Sequence, residues 1–310
     1  VPAFTGTVPA SSAAPSVKGA PENGAILSKA NPVYLDGITA DNYGWIFDVG
    51  SDILYQMDME TYATTTIGST VVDAASGDFP NGDFEMMYVA GNWGTTLYEV
   101  NITNGTYTTV GGFSGNPAGM EVTGMATDRT SGTVYVCGTN ISASFIGTLD
   151  PATGAITQVG PNITVAPGLI DIAIDGTGQM YGWCIVNDNS YLIDKATGTT
   201  TLLGSLGFDA NYGQGGNWNP NDDVIYLSAY NLSAGPELRA LDPTTGATTF
   251  LSSLSLSQAA AFGFPGSGGG GVGNWLTLDY YENIVAPGGG LDNVPTNFNA
   301  AGTQAGEVYT

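Results

Sequence analysis

Histidine is absent from all 310 residues of this chain. Ser-His-Asp and Cys-His catalysis, histidine-held zinc and imidazole proton shuttles therefore lie outside its chemistry. Basic residues are nearly as scarce: Lys18, Lys29, Arg129, Lys195 and Arg239 stand against 28 Asp and Glu, a formal charge of −23. So few cations cannot neutralise a phosphate backbone, and nucleic acid and anionic lipid are excluded as partners. No apolar run approaches the roughly 18 residues that a spanning helix needs, so no membrane insertion is expected. Charged residues are only 11% of the chain and hydrophobic ones 42%. The surface must then be built from Thr, Ser, Asn and Gly around an adequate core.

What the chain has in abundance is one repeated phrase: an apolar run, an Asx residue, a Thr-Gly or near equivalent, then a Thr-rich stretch. It occurs as ILYQMDMETYATTTIG (53-68), LYEVNITNGTYTTVG (97-111), IGTLDPATGAITQVG (146-160), YLIDKATGTTTLLG (191-204) and LRALDPTTGATTFLS (239-252). The Asx positions are Asp58, Asn101, Asp150, Asp194 and Asp242, with spacings of 43, 49, 44 and 48. That period belongs to propeller blades. In each copy the Asx side chain can accept a backbone N–H two residues on, and Gly105, Gly154, Gly198 or Gly246 supplies the positive φ of a tight turn. A second strand precedes each hairpin, GWIF (44-47), MMYV (86-89), TVYV (133-136), QMYG (179-182) and VIYL (224-227). Shorter stretches such as GITAD (37-41), GMATD (124-128) and DIAID (171-175) open the units. Four strands in fixed order make a blade.

The fold expected is all-β. Five full units run from about residue 33 to 254, and AAAFGFP (259-265) reads as the opening strand of another. Residues 1-32 are available to complete it, which predicts a six-bladed ring over 18-265 closed by both chain ends, with five blades the alternative.

Several residues are singled out as candidate sites. Cys137 and Cys184 lie on second strands of neighbouring units and point to opposite faces of their own sheets, so they can meet across one interface. Packed sheets lie about 10 Å apart and a disulfide needs Cα atoms within about 7 Å, which favours two buried thiols over a bridge. Trp45, Trp93, Trp183 and Trp218 are candidates for stacking on sugar, with packing between blades the commoner fate of such rings. Sequons begin at Asn101, Asn104, Asn140, Asn162 and Asn231 and mark candidate glycosylation sites on surface turns. No cofactor is implied. Calcium is the one metal the oxygen-rich loops GDFPNGDFE (77-85) and NPNDD (219-223) invite, though turn chemistry accounts for the same residues.

Beyond the repeat, residues 266-274 form a Gly-rich linker by composition. The stretch after it, WLTLDYYENIVAPGGGLDNVPTNFNAAGTQAGEVYT (275-310), resembles the opening half of the immunoglobulin-like modules of large secreted bacterial surface proteins. The resemblance implies a sandwich that stops half-built, open to completion by a strand from another subunit. Residues 1-17, VPAFTGTVPASSAAPSV, are the candidate donor, because Pro2, Pro9 and Pro15 suit an extended arm.

The chain opens on Val1, so an N-terminal leader is expected to have been removed, and low Lys with abundant Thr and Asn favours an extracellular or cell-surface place. A carboxylate pair is the one catalytic arrangement left open, and no spacing singles one out. The function expected is that of a non-enzymatic structural or adhesive subunit assembling into a filament or surface layer. The alternative is a monomeric module of a larger surface protein that binds carbohydrate or peptide.

Overall fold

The computed structural model describes residues 42-80 and 86-265. The arm (1-17), the GITAD stretch, the linker (266-274) and the immunoglobulin-like segment (275-310) lie outside the described residues.

Twenty strands form five four-stranded antiparallel sheets. Blade 1 takes β1 (Tyr43–Asp48), β2 (Ile53–Asp58) and β3 (Thr64–Ser69) from the start of the described chain. Blade 2 is β4 (Ser76–Asp78), β5 (Met86–Gly91), β6 (Thr96–Asn101) and β7 (Tyr107–Gly112). Blade 3 is β8 (Glu121–Asp128), β9 (Thr133–Thr139), β10 (Ser144–Asp150) and β11 (Ala155–Ile163). Blade 4 is β12 (Leu169–Ile174), β13 (Met180–Cys184), β14 (Asn189–Ile193) and β15 (Thr200–Ser205). Blade 5 is β16 (Gly215–Asn219), β17 (Val224–Asn231), β18 (Gly235–Leu241) and β19 (Thr248–Ser253). The last strand, β20 (Ala259–Gly263), returns to blade 1 and pairs with β1, Ala259 opposite Asp48 and Gly263 opposite Trp45.

This pairing corrects the six-bladed expectation. The strand that looked like the start of a sixth unit is the missing inner strand of the first, and the ring closes at five blades. The inner strands β4, β8, β12, β16 and β20 neighbour one another in cyclic order.

The repeated turn works as its residues dictate. Asp58 accepts the Glu60 N–H at 2.8 Å, Asn101 that of Thr103 at 2.9 Å, Asp150 that of Ala152 at 3.0 Å, and Asp194 and Asp242 those of Ala196 and Thr244 at 2.8 Å. Four turns then place a glycine in the left-handed region. The first places Tyr62 there, at φ 60°, at a cost of about 1 kcal/mol. In four blades the pairing of the outer two strands slips by a bulge at the equivalent place, and in blade 3 the slip lies nearer the start of the third strand, between Ser144 and Ile146. The extra residue of the outer strand is Ile67, Val110, Leu203 or Leu251 in four of them, and each packs on a core cluster. A bulge so placed turns one apolar side chain of a Thr-rich strand inward and twists an exposed edge away from further pairing.

Five hydrophobic clusters fill the five interfaces between blades. Each fully buried Leu, Ile or Phe contributes about 1.5–3 kcal/mol. Closure adds a polar clasp: Asp48 at the end of β1 accepts the Ser257 N–H at 3.0 Å, the Gln258 N–H at 3.2 Å and the Ser257 hydroxyl. Burial raises the Asp48 pKa, but the hydrogen bonds from Ser257, Ser51 and Gln258 outweigh it and hold the carboxyl below its ordinary 3.8.

Asp48→Ala is expected to lower the unfolding free energy by about 2–3 kcal/mol, measured by urea denaturation. Because the folded pKa is depressed, this stabilisation is full above about pH 4 and lost as pH falls toward the folded value. Asp48→Asn should flatten that acid limb, and an unchanged limb would remove Asp48 from the closure.

Candidate functional site

Antiparallel order sorts the loops into two ends. The Asx turns and the turns that follow each inner strand gather at one, the turn end. The segments that lead into the inner strands and the turns between second and third strands gather at the other, the mouth end. At the mouth, Ala74, Ala75, Trp93, Val122, Thr123, Ile170, Gly213 and Gln258 line a cavity of about 140 Å³ on the ring axis, with residues from all five blades.

Beneath the mouth the axis is plugged by Asp171 of β12, 1% exposed. Its Oδ1 accepts the N–H of Ile172 at 2.8 Å, the N–H of Met125 in blade 3 at 3.1 Å and the hydroxyl of Ser76 in blade 2 at 3.3 Å. Its Oδ2 accepts the N–H of Gly216 in blade 5 at 2.9 Å. One carboxylate thus joins four blades. Room for it comes from Gly124, where a Cβ would stand 2.6 Å from Asp171 Oδ1. Burial pushes the Asp171 pKa well above the usual carboxylate range, against the downward pull of these donors.

The mouth end also concentrates exposed apolar side chains. Of the ten exposed large hydrophobics among the described residues, Val72, Trp93, Ile141, Val165, Val186, Tyr212 and Leu232 are there; Tyr107, Leu202 and Phe250 lie on outer strands. Three of the seven sit on left-handed backbone: Trp93 at φ 54°, Ile141 at 70° and Tyr212 at 56°. Asn92, Trp93 and Gly94 are three successive left-handed residues in the four-residue turn between Gly91 and Thr96, a backbone that costs a non-glycine residue about 1 kcal/mol. The loop is held there by the Asn92 N–H on Val72 O at 2.9 Å, the Trp93 N–H on Asp73 O at 3.0 Å and the Asn92 amide on the Tyr98 hydroxyl at 2.7 Å. Tyr212 meets Tyr230 edge to face at 4.9 Å.

The four tryptophans separate cleanly. Trp183 is fully buried. Trp45 donates to Ile102 O at 3.3 Å and packs on Phe79, while Trp218 donates to Asp223 at 2.8 Å beneath Arg129. Only Trp93, 56% exposed, presents its ring to solvent as a stacking surface. Tyr212, Ile141 and Asp171 escaped the sequence reading; no local pattern announces a side chain raised on left-handed backbone, or a strand Asp facing an axis.

Cys137 and Cys184 are free, buried thiols within the same cluster between blades 3 and 4. Burial and the nearby Asp171 carboxyl push the Cys137 pKa well up. Among the sequons, Asn104, Asn140 and Asn162 are exposed, and Asn101 is half-buried. The Thr hydroxyl donates to the Asn Oδ1 at 2.6 Å in Asn101-Ile102-Thr103 and at 2.7 Å in Asn104-Gly105-Thr106. Asn231 instead directs its amide to Glu237 at 3.3 Å. In the NPNDD loop, Asp222 receives the Tyr226 hydroxyl at 2.8 Å and the Asn42 amide at 3.1 Å. Its oxygens serve the fold, and no group of three or more acidic or thiol side chains that could hold a metal occurs among the described residues. The GDFPNGDFE loop falls partly outside them.

No protein-family profile and no curated protein matches this sequence. Solved propellers are similar in fold. A chain of a nidogen/laminin complex shares 11% identity over 72% of this chain and 81% of that chain, with a TM-score of 0.47. Regucalcin, a calcium-binding protein from Agrobacterium tumefaciens, shares 14% over 73% and 75%, TM-score 0.45. Virginiamycin B lyase from Staphylococcus aureus shares 12% over 69% and 67%, TM-score 0.39. At these identities the likeness is one of fold. It also corrects the expectation that the chain is not an enzyme: a lyase stands among similar propellers, so the architecture gives no ground for excluding catalysis.

Asp171→Ala leaves three buried N–H groups without an acceptor and is expected to cost about 3–5 kcal/mol in urea denaturation. The raised folded pKa means that wild-type stability declines as pH rises from about 4 toward the Asp171 pKa, a slope that Asp171→Asn should lack. Both cysteines should resist a thiol reagent in the native protein and react together on unfolding; reaction of either at the native rate of a free thiol would contradict their burial.

Proposed function

We propose that this protein is an extracellular or cell-surface binding module that takes a carbohydrate or peptide on the mouth end of its propeller. The observation that carries the reading is Trp93: a large ring, more than half exposed, on left-handed backbone that glycine would occupy without strain. With more than half of its surface in solvent, the ring adds less to folding than a buried one would. Strain kept in a loop that lines a concave axial site is the pattern of a functional position. Tyr212 and Ile141 repeat the arrangement on other blades of the same end, and aromatic rings so displayed suit sugar faces and peptide side chains alike. The narrower proposal, a filament or surface layer built by strand addition between residues 1-17 and 275-310, rests on the sequence pattern of those two segments.

Screening the wild-type chain on glycan and peptide arrays, followed by titration of the hits, tests the binding reading. Trp93→Ala and Tyr212→Ala are each expected to weaken the hit at least tenfold while leaving the unfolding midpoint unchanged. Trp93→Gly should abolish binding and yet raise stability by about 0.5–1 kcal/mol, by relieving the turn. Hits indifferent to both aromatic residues would sink the assignment of the mouth end.

A further inference from the structure

The binding reading leaves the ligand open, and chain geometry and charge narrow it. We infer that the mouth end receives residues 1-17 of a second copy of this chain; the inference rests on the binding reading and gives it an occupant.

Both junctions of the propeller with the rest of the chain lie at the turn end. Asn42 is tied there to Asp222 and accepts the Asn219 amide at 2.7 Å. Phe264, just past β20, accepts Arg129 Nη2 at 2.6 Å and packs on Tyr226. The mouth end carries neither junction. A contact between an arm that leaves one end and a face at the other end of a second molecule joins unlike surfaces, so it repeats head to tail. Residues 18-41 span about 80 Å when extended, ample to carry residues 1-17 to another molecule.

Charge selects the segment. The chain carries 28 acidic and 5 basic side chains, and the three cations among the described residues are engaged within the fold. Lys195 pairs with Asp128, Arg239 with Glu237 at 2.7 Å, and Arg129 with the Phe264 carbonyl. None is left to greet an acidic ligand, and most of this protein would repel another copy of itself. Residues 1-17 hold no charged side chain.

Chemistry matches the segment to the face. Residues 1-17 hold Pro2, Pro9 and Pro15 among Val1, Phe4, Val8 and Val17. Proline-rich segments bind by laying proline and apolar side chains against aromatic rings. Trp93 lines the axial cavity, and Tyr212 adjoins Gly213, which lines it too. The cavity has the scale of a single proline or phenylalanine ring.

The test uses a synthetic peptide of residues 1-17 and the chain lacking only those residues. Sedimentation velocity should show concentration-dependent association of the full chain and none of the shortened one. The peptide should bind the shortened chain one to one, and Trp93→Ala or Tyr212→Ala should weaken it at least tenfold. Absence of peptide binding overturns the inference. So does binding indifferent to both aromatic residues, which would place the acceptor at residues 275-310 by strand addition. A full chain that stays monomeric and refuses the peptide, its own arm occupying the face, overturns it as well. If the arrays yield a Trp93-dependent ligand while the peptide fails, the binding reading stands and self-recognition alone is lost.

Discussion

The ring depends on the inner edges of its five blades. Each innermost strand turns a row of backbone N–H and C=O groups toward the axis, away from any sixth sheet and from bulk water, and such groups must find partners. Asp171 meets much of this demand by accepting from four blades at one point. Asp78 does the same on a smaller scale for the Thr127 N–H, at 2.5 Å. The arrangement requires small residues around the carboxylate, and Gly124 and Gly216 provide the space and the donor. A bulkier inner strand would force the ring wider and leave the axial edges dry and unpaired.

That constraint also explains how the two ends differ. The Asp171 side chain separates the mouth above from the packed polar residues below, and the axial cavity that remains is about 140 Å³. At the turn end, five Asx side chains are engaged in their own hairpins and the connections are short and regular. At the mouth end the connections between blades are longer and irregular, and there apolar side chains and left-handed residues accumulate. Regular turns stabilise the blade; irregular ones are free to carry recognition.

Much of the blade was legible in the sequence because its signals are local. An Asx two residues ahead of its donor, a glycine at the left-handed position and alternating apolar strands depend only on near neighbours, and all five hairpins form where those residues predict. Even the bulged Ile67 and Val110 are visible as the one apolar residue closing a Thr-rich run, whereas Leu203 and Leu251 follow a second apolar residue, Leu202 and Phe250. The candidate site was legible only as four equivalent tryptophans, since exposure is a property of what packs against a ring.

The sequence by itself determined the repeating hairpin, the all-β class, the scarcity of cations and the absence of imidazole chemistry, each of which is written in residue identities and short spacings. Tertiary structure decided the blade count, the axial role of Asp171 and which tryptophan faces solvent. Closure pairs Asp48 with Ala259, residues far apart in the chain whose meeting no local rule encodes. It is set by how many wedge-shaped blades fit around an axis narrow enough for one carboxylate to fill.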